Sequence, residues 1–454
     1  MKMTGMKIIA LLLVLQLTAC SDKQNDTAAG TTANNAASAA DTIKIGILLP
    51  FSGTLVCTGN YRKAAAALAV KEINQTGIFN KNLELVAEDD ETDPDKGVAA
   101  ANRLLLSNVS AIIGSAASSV TIKAAEQVSI PSNILQISPS STSPLITAIN
   151  DNGLLWRTAP SDVYQGKIAA SYAAATLGKT TASIIYVDNA YGQGLSASFK
   201  TEFEKTGGTI LNSVSYPALK DTEVALHDFS AEVAALMTGS PQLVYLISYY
   251  LDGSKITLAM KQYLTPTYKP LLMGVDGNYG SVFLANADAE VVEGMVGTAP
   301  TPPLDDLNYK TFAVNYKALY GIDPPIYTAN TYDAVYLIAY AMLKANSTVS
   351  QDIAAKLLEV SSVGDTVNVA QFAEAKTKIE NGIDINYEGA SGKVDFDSNG
   401  DITSGSYLIW KVVNKEFLSE SVATFSSAGV VMSKAKQGLQ FFAPKMNSAF
   451  CSQL

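Results

Sequence analysis

The sequence predicts an α/β protein of two doubly wound, Rossmann-like lobes, and three patterns carry that expectation. Apolar runs alternate with helix-period segments from Ile43 to Ile113, a second such series begins after Trp156, and long helical patterns return near Thr331. Alternation of this kind builds parallel sheets covered by helices on both faces.

In chain order, 43–49 is nearly all aliphatic and reads as a strand, 61–74 as a helix, 83–87 as a strand, 96–106 as a helix and 111–113 as a strand. The second series has a helix over 164–176, a strand over 183–187, a helix over 195–205, and strands over 209–214 and 243–247. Helical patterns at 331–344 and 350–360 follow, and 392–412 reads as a hairpin turning at Asp397-Ser398-Asn399-Gly400. No internal repeat is present. Ligands of open parallel sheets lie beyond the carboxyl ends of the strands, and here the loops at those ends are rich in Ser, Thr, Tyr and Gly.

The start of the chain reads as an address rather than as fold. Lys2 and Lys7 precede an apolar run over 8–17, and small residues lead to Cys20, the pattern of an export signal too short to span a bilayer. Leu17-Thr18-Ala19-Cys20 resembles the bacterial lipobox, which implies removal of 1–19, lipidation of Cys20 and membrane attachment through that lipid. From 21 to 40 no bulky aliphatic or aromatic residue occurs, so 20–40 reads as a flexible tether.

Loss of the leader takes the net charge from -10 to -12. An acidic chain without Lys/Arg clusters argues against a nucleic-acid partner. No later apolar run reaches the ~20 residues of a transmembrane helix. Cys57 and Cys451 are an even pair that an extracytoplasmic compartment would let bond, and the sequence leaves their pairing open.

Candidate catalytic motifs fail on their details, so no enzyme activity, cofactor or metal is expected. His227 is the only histidine and lies in a solvent-facing helical pattern, which leaves nothing with which to build a triad or a histidine metal site. Gly178-Lys179-Thr180 has Ala173 where a phosphate-binding loop needs glycine and precedes a strand, while Gly192-Gln193-Gly194 lacks the acid that a dinucleotide site places on the next strand. Asp395, Asp397, Asn399 and Asp401 alternate as in a calcium loop, but Ser406 stands where a bidentate glutamate belongs, and a turn explains them better.

Seven segments together resemble the type I periplasmic binding proteins, in particular the branched-chain amino-acid receptors among ABC-importer substrate-binding proteins. They begin with Ile45-Gly46-Ile47-Leu48-Leu49-Pro50-Phe51-Ser52-Gly53, Glu88-Asp89-Asp90-Glu91-Thr92-Asp93-Pro94 and Ile112-Ile113-Gly114. Ile137-Ser138-Pro139, Trp156-Arg157-Thr158, Tyr191-Gly192-Gln193-Gly194 and Tyr332-Asp333-Ala334-Val335 follow in the same order. The resemblance spans most of 43–412 and implies two lobes joined by crossover strands, with lobe one over 41–159 plus 291–357 and lobe two over 160–290 plus 358–454.

It also implies roles for particular residues. Two loops that hold the α-carboxylate of an amino acid in the family resemble Ser118-Ser119 and Ser140-Ser141-Thr142, and hydroxyls at a helix N-terminus suit an anion. Ser118 and Ser119 read equally as plain helix caps. The acid that meets the α-ammonium falls at Asp276 in Met273-Gly274-Val275-Asp276-Gly277, and Tyr191, with Tyr249 or Tyr250, corresponds to pocket aromatics; Tyr327 completes the candidate set. Where branched-chain receptors place a bulky aromatic this chain has Thr58, with Tyr61 nearby, a departure that points away from Leu, Ile or Val toward a polar or longer side chain or a small amide. The expected function is therefore a lipid-anchored, extracytoplasmic receptor that closes over a small solute and delivers it to an ABC permease. The competing reading is a lipoprotein of the same fold with a structural or regulatory role.

Overall fold

A computed structural model describes residues 42–434. The expected leader, the tether, Cys20 and Cys451 lie outside the described residues, and Cys57, in the first turn of the first helix, is disulfide-bonded.

The first sheet is parallel, with β1 (Ile43–Leu49), β2 (Leu83–Asp89), β3 (Ala111–Gly114), β4 (Gln136–Ser138) and β5 (Leu155–Arg157) in the order β2-β1-β3-β4-β5. Strand side chains alternate between faces, so Ile45, Ile47 and Leu49 enter one hydrophobic cluster, while Leu48 and Ile112 enter another with Ala100 and Leu104. β1 is covered on both faces, and its nearly unbroken aliphatic run follows from that. Helix Pro94–Leu106 begins with Pro94 and with Asp93 accepting from the amides of Asp95 and Lys96.

The chain crosses after β5 into a second sheet. There β6 (Thr181–Asp188), β7 (Thr209–Pro217), β8 (Leu243–Ile247), β9 (Leu271–Gly274) and β10 (Val296–Thr301) run parallel. It then returns to the first lobe, where helices Leu307–Tyr320 and Thr328–Ala345 pack on helix Val56–Ile73 and a small sheet forms from β11 (Asp365–Val367), β12 (Ile385–Gly389) and β13 (Gly392–Lys393). A third crossing leads to β14 (Gly405–Val413), β15 (Glu416–Ser426) and β16 (Gly429–Lys434), an antiparallel extension of the second sheet in the order β16-β15-β14-β10-β9-β8-β6-β7.

Two expected lobe boundaries move. Residues 291–301 were expected in lobe one, but β10 pairs with β9 and β14 in the second sheet. Residues 358–404 were expected in lobe two, but Phe372 stacks on Tyr340 and Tyr387 on Tyr336, both on the long lobe-one helix. The expected hairpin over 392–412 is also different. Its turn forms, with Asp397 accepting from the amides of Asn399 and Asp401, and Phe396 bridges Ile402, yet β13 pairs with β12 and β14 with β10 and β15. The expected helix over 350–360 is two short ones, Ser350–Ala354 and Leu357–Ser362.

A buried ion pair ties the crossings together. Arg157, fully buried at the end of β5, meets Asp401 through Nε–Oδ1 at 2.5 Å and Nη2–Oδ2 at 2.9 Å, and its Nη1 donates to the carbonyl of Ser143. Asp401 is thereby committed to an arginine, in keeping with a turn at 395–401 rather than a metal loop.

Candidate functional site

The carboxyl ends of both parallel sheets face one cleft. Lobe one contributes the start of helix Val56–Ile73 and the loops after β3 and β4, which bring Thr58, Arg62, Ala117, Ser118, Ser140 and Thr142 to its wall. Lobe two contributes Tyr191 at the start of helix Ala190–Lys205, Tyr249 and Tyr250 after β8, and Asp276 and Gly277 after β9. Two glycines set the close approaches. A Cβ on Gly59 would sit 2.0 Å from the Pro50 carbonyl oxygen, and one on Gly277 would sit 2.3 Å from that of Ser248.

Asp276 is the centre of the arrangement. Its Oδ1 accepts from the Tyr191 hydroxyl at 2.7 Å and from Gln165 Nε2 at 3.2 Å, and its Oδ2 accepts from the Tyr327 hydroxyl at 2.8 Å. Burial pushes both phenols well above their usual range, and the Asp276 charge adds to it, so they remain neutral donors. Tyr327 itself holds a left-handed backbone, φ 67°, just before helix Thr328–Ala345. A bulky residue in that region carries strain of about 1–3 kcal/mol, which the surrounding packing must sustain.

The serine loops are built from the inside. Ser138 Oγ donates to the Ser115 carbonyl at 2.7 Å and accepts from the Ser141 amide at 3.0 Å; Ser140 Oγ donates to the Ala116 carbonyl at 3.2 Å. Ser141 makes a similar bond to Ser115 and does not line the cleft, and Ser119 is half-buried off the cleft wall. Thr142 lines the cleft, but its hydroxyl donates to Asp162 at 2.8 Å. Of the five hydroxyl residues expected at the carboxylate, Ser118, Ser140 and Thr142 are therefore at the wall, while Ser119 and Ser141 are not. Thr58, Tyr191, Tyr249, Tyr250, Asp276 and Tyr327 are all there, and Tyr191 stacks on Tyr249 with centroids 5.7 Å apart.

Three contributors escaped sequence reasoning: Arg62, Asp162 and Gln165. Arg62 lies one helical turn beyond Thr58 and so shares its face, a spacing that was available to find it. Burial lowers its pKa to about 10, which leaves it charged at neutral pH. It lies 5.3 Å from the centroid of the Tyr327 ring, whose hydroxyl bonds Asp276. Asp162 is pushed well above the usual carboxylate range by burial and by Asp276. No sequence motif marks Gln165 or Asp162. Away from the cleft, His227 bonds Glu232 at 2.9 Å and packs edge-on against Phe229.

A larger cavity of about 400 Å³ lies at the crossings, among Pro160, Pro300, Pro302, Ile402 and Gly405. Ile326 and Tyr327 line both spaces.

Two open sheets whose parallel strands meet by their carboxyl ends over a polar cleft, with three chain crossings between them, make a two-lobed binding protein. Residues 42–404 match the family described as periplasmic binding protein, and the chain belongs to that family. It is 27% identical over 374 residues to the leucine-, isoleucine-, valine-, threonine-, and alanine-binding protein of Pseudomonas aeruginosa, covering 82% of this chain and 90% of that one. It is 30% identical over 315 residues to the leucine-specific-binding protein of Salmonella typhimurium, covering 69% and 82%. A leucine-binding protein from Thermotoga maritima shares the fold at a TM-score of 0.71 and 24% identity, covering 85% of this chain and 99% of that one. A solute-binding protein from R. palustris in complex with benzoate does so at 0.67 and 18%, covering 87% and 98%.

Proposed function

We propose that this protein is an extracytoplasmic solute-binding protein that closes its lobes over an amino acid and presents it to an ABC permease. The observation that carries the reading is Asp276, a carboxylate at the cleft held by tyrosines from both lobes and facing Ser118, Ser140 and the first turn of helix Ser118–Ala124. The acid suits an α-ammonium, and the opposite loops, with the Ser118 hydroxyl and helix-start amides, suit an α-carboxylate. The relatives named for leucine, isoleucine, valine, threonine and alanine support the same class of ligand. The reading is of a receptor rather than an enzyme because Asp276, the acid on the cleft wall, accepts from Tyr191, Gln165 and Tyr327, which position its charge for binding.

In this conformation the cleft leaves about 50 Å³, far below the few hundred Å³ of an open ligand pocket. Entry then requires the lobes to separate about their three crossings, and binding shifts the population back toward closure. Lipidation of Cys20 and the tether are part of the proposal, tested by whether Cys20→Ala releases the protein from membranes.

The principal test is a thermal-shift screen of the full chain against the amino acids and small amides. A rise in melting temperature for one class, lost in Asp276→Ala, supports the receptor. No shift with any compound would favour a ligand-free structural or regulatory lipoprotein.

A further inference from the structure

We infer that the ligand carries a second negative group, an acidic side chain for which Arg62 is the specificity-determining residue. The inference rests on the amino-acid reading above and deepens it. Arg62 is 4% exposed and lines the cleft, yet its Nε and Nη1 have no hydrogen-bond partner among the described residues. Buried guanidinium donors without acceptors are costly, and native structures satisfy them or reserve them for a ligand.

The carboxylates nearby do not meet the need. Asp276 spends both oxygens on Tyr191, Gln165 and Tyr327. Asp90 is fully buried and takes the Ser115 hydroxyl on one oxygen and the Thr92 amide on the other. Tyr250, Asp276 and Asp90 act on the Arg62 guanidinium electrostatically, and its carbon lies over the ring of Tyr327, 5.3 Å from the centroid. With the guanidinium carbon over that ring, Nε and Nη1 remain without an acceptor and can take a planar anion. A carboxylate is the group whose geometry matches that fork.

Placement completes the argument. Arg62 stands on helix Val56–Ile73, one turn beyond Thr58, where a small side chain leaves the wall open. The cleft thus offers a fixed cation from lobe one and a fixed anion from lobe two, with the serine loops as a separate anion site. A zwitterion with one further carboxylate, an aspartate- or glutamate-like amino acid, satisfies all three. A branched-chain amino acid would bury Arg62 against hydrocarbon and leave its donors unmet.

The test is calorimetric titration of the full chain with glutamate, aspartate, glutamine, leucine and benzoate, repeated on Arg62→Met, which keeps the aliphatic stem without the charge. The expected result is an acidic amino acid bound about 100-fold more tightly than glutamine or leucine, with that margin lost in the variant. The wild-type comparison stands even if the variant does not fold. Leucine or glutamine bound as well as glutamate would overturn this inference and leave the receptor reading intact. An equal loss of every amino acid in Arg62→Met would also overturn it, by assigning Arg62 to the α-carboxylate. Binding of no amino acid, or of benzoate alone, would overturn both.

Discussion

The hydroxyl of Tyr327 donates to Asp276 across the cleft at 2.8 Å, so the two lobes are joined by a direct hydrogen bond between side chains that line the cleft itself. Tyr327 leads into a lobe-one helix and Asp276 follows a lobe-two strand. The residue proposed to take the ligand's ammonium is thus also one half of a latch.

Tyr327→Phe should loosen that latch without removing the ring beneath Arg62. A hydrogen bond to a charged group contributes about 1.5–3 kcal/mol, enough to shift a closed population strongly toward open. Small-angle scattering of the ligand-free protein should give a larger radius of gyration for the variant. An unchanged radius would show that the bond has no weight in closure.

Asp276→Asn keeps the size of the side chain and removes its charge. Loss of a buried ammonium partner should weaken amino-acid binding by about 2–5 kcal/mol, read by calorimetry, while thermal stability without ligand changes far less. Equal affinity in the variant would place the ammonium elsewhere.

Asp162 supplies a pH signature. Its folded-state pKa is raised by burial and by Asp276, so below about pH 4 it is protonated in both folded and unfolded chains and costs nothing. As pH rises, the unfolded chain releases its proton first, and the folded state loses stability until the pH passes the raised folded value. Asp162→Asn, which retains an acceptor for Thr142, should therefore gain in melting temperature over the wild type between pH 4 and pH 8. A constant difference across that range would contradict the assignment.

Asp333 holds the small sheet to the lobe-one helix by accepting from the Tyr387 hydroxyl, the Ala390 amide, and the amide and hydroxyl of Ser391. Asp333→Ala would orphan four donors in a buried setting, with an expected loss of about 3–5 kcal/mol in denaturant unfolding. A loss below about 1 kcal/mol would mean that water replaces the carboxylate.

Arg157→Met should cost about 3–5 kcal/mol, because it leaves Asp401 without its partner near the crossings. The double variant with Asp401→Leu should recover much of that loss, since an apolar pair of similar bulk carries no unpaired charge. Failure to recover would indicate that the contacts of Arg157 to Ser143 and Thr147 dominate.

Much of the first lobe was legible because β1 and β3 are buried on both faces and therefore read as nearly plain aliphatic runs with helices between them. Position along the chain did not reveal which sheet a late segment joins. β10 and the helix Phe372–Glu380 went to the lobes opposite to those expected, because pairing with β9 and stacking on Tyr340 are contacts between segments distant in sequence. In the site, Asp276 and Tyr191 were found through motif position. Ser141 and Ser119 were carried along by their neighbours, although loop geometry turns one inward and sets the other aside. Arg62 went unremarked because a sequence shows an arginine beside a lysine as surface charge, and only packing reveals it as interior.

Ile326 and Tyr327 are shared between the cleft and the larger space at the crossings. A party wall of this kind makes ligand length the business of one or two side chains. A smaller residue at 327 would turn two rooms into a corridor, and relatives of this chain could come to accept longer solutes without any change to the groups proposed to grip the ammonium and carboxylate ends.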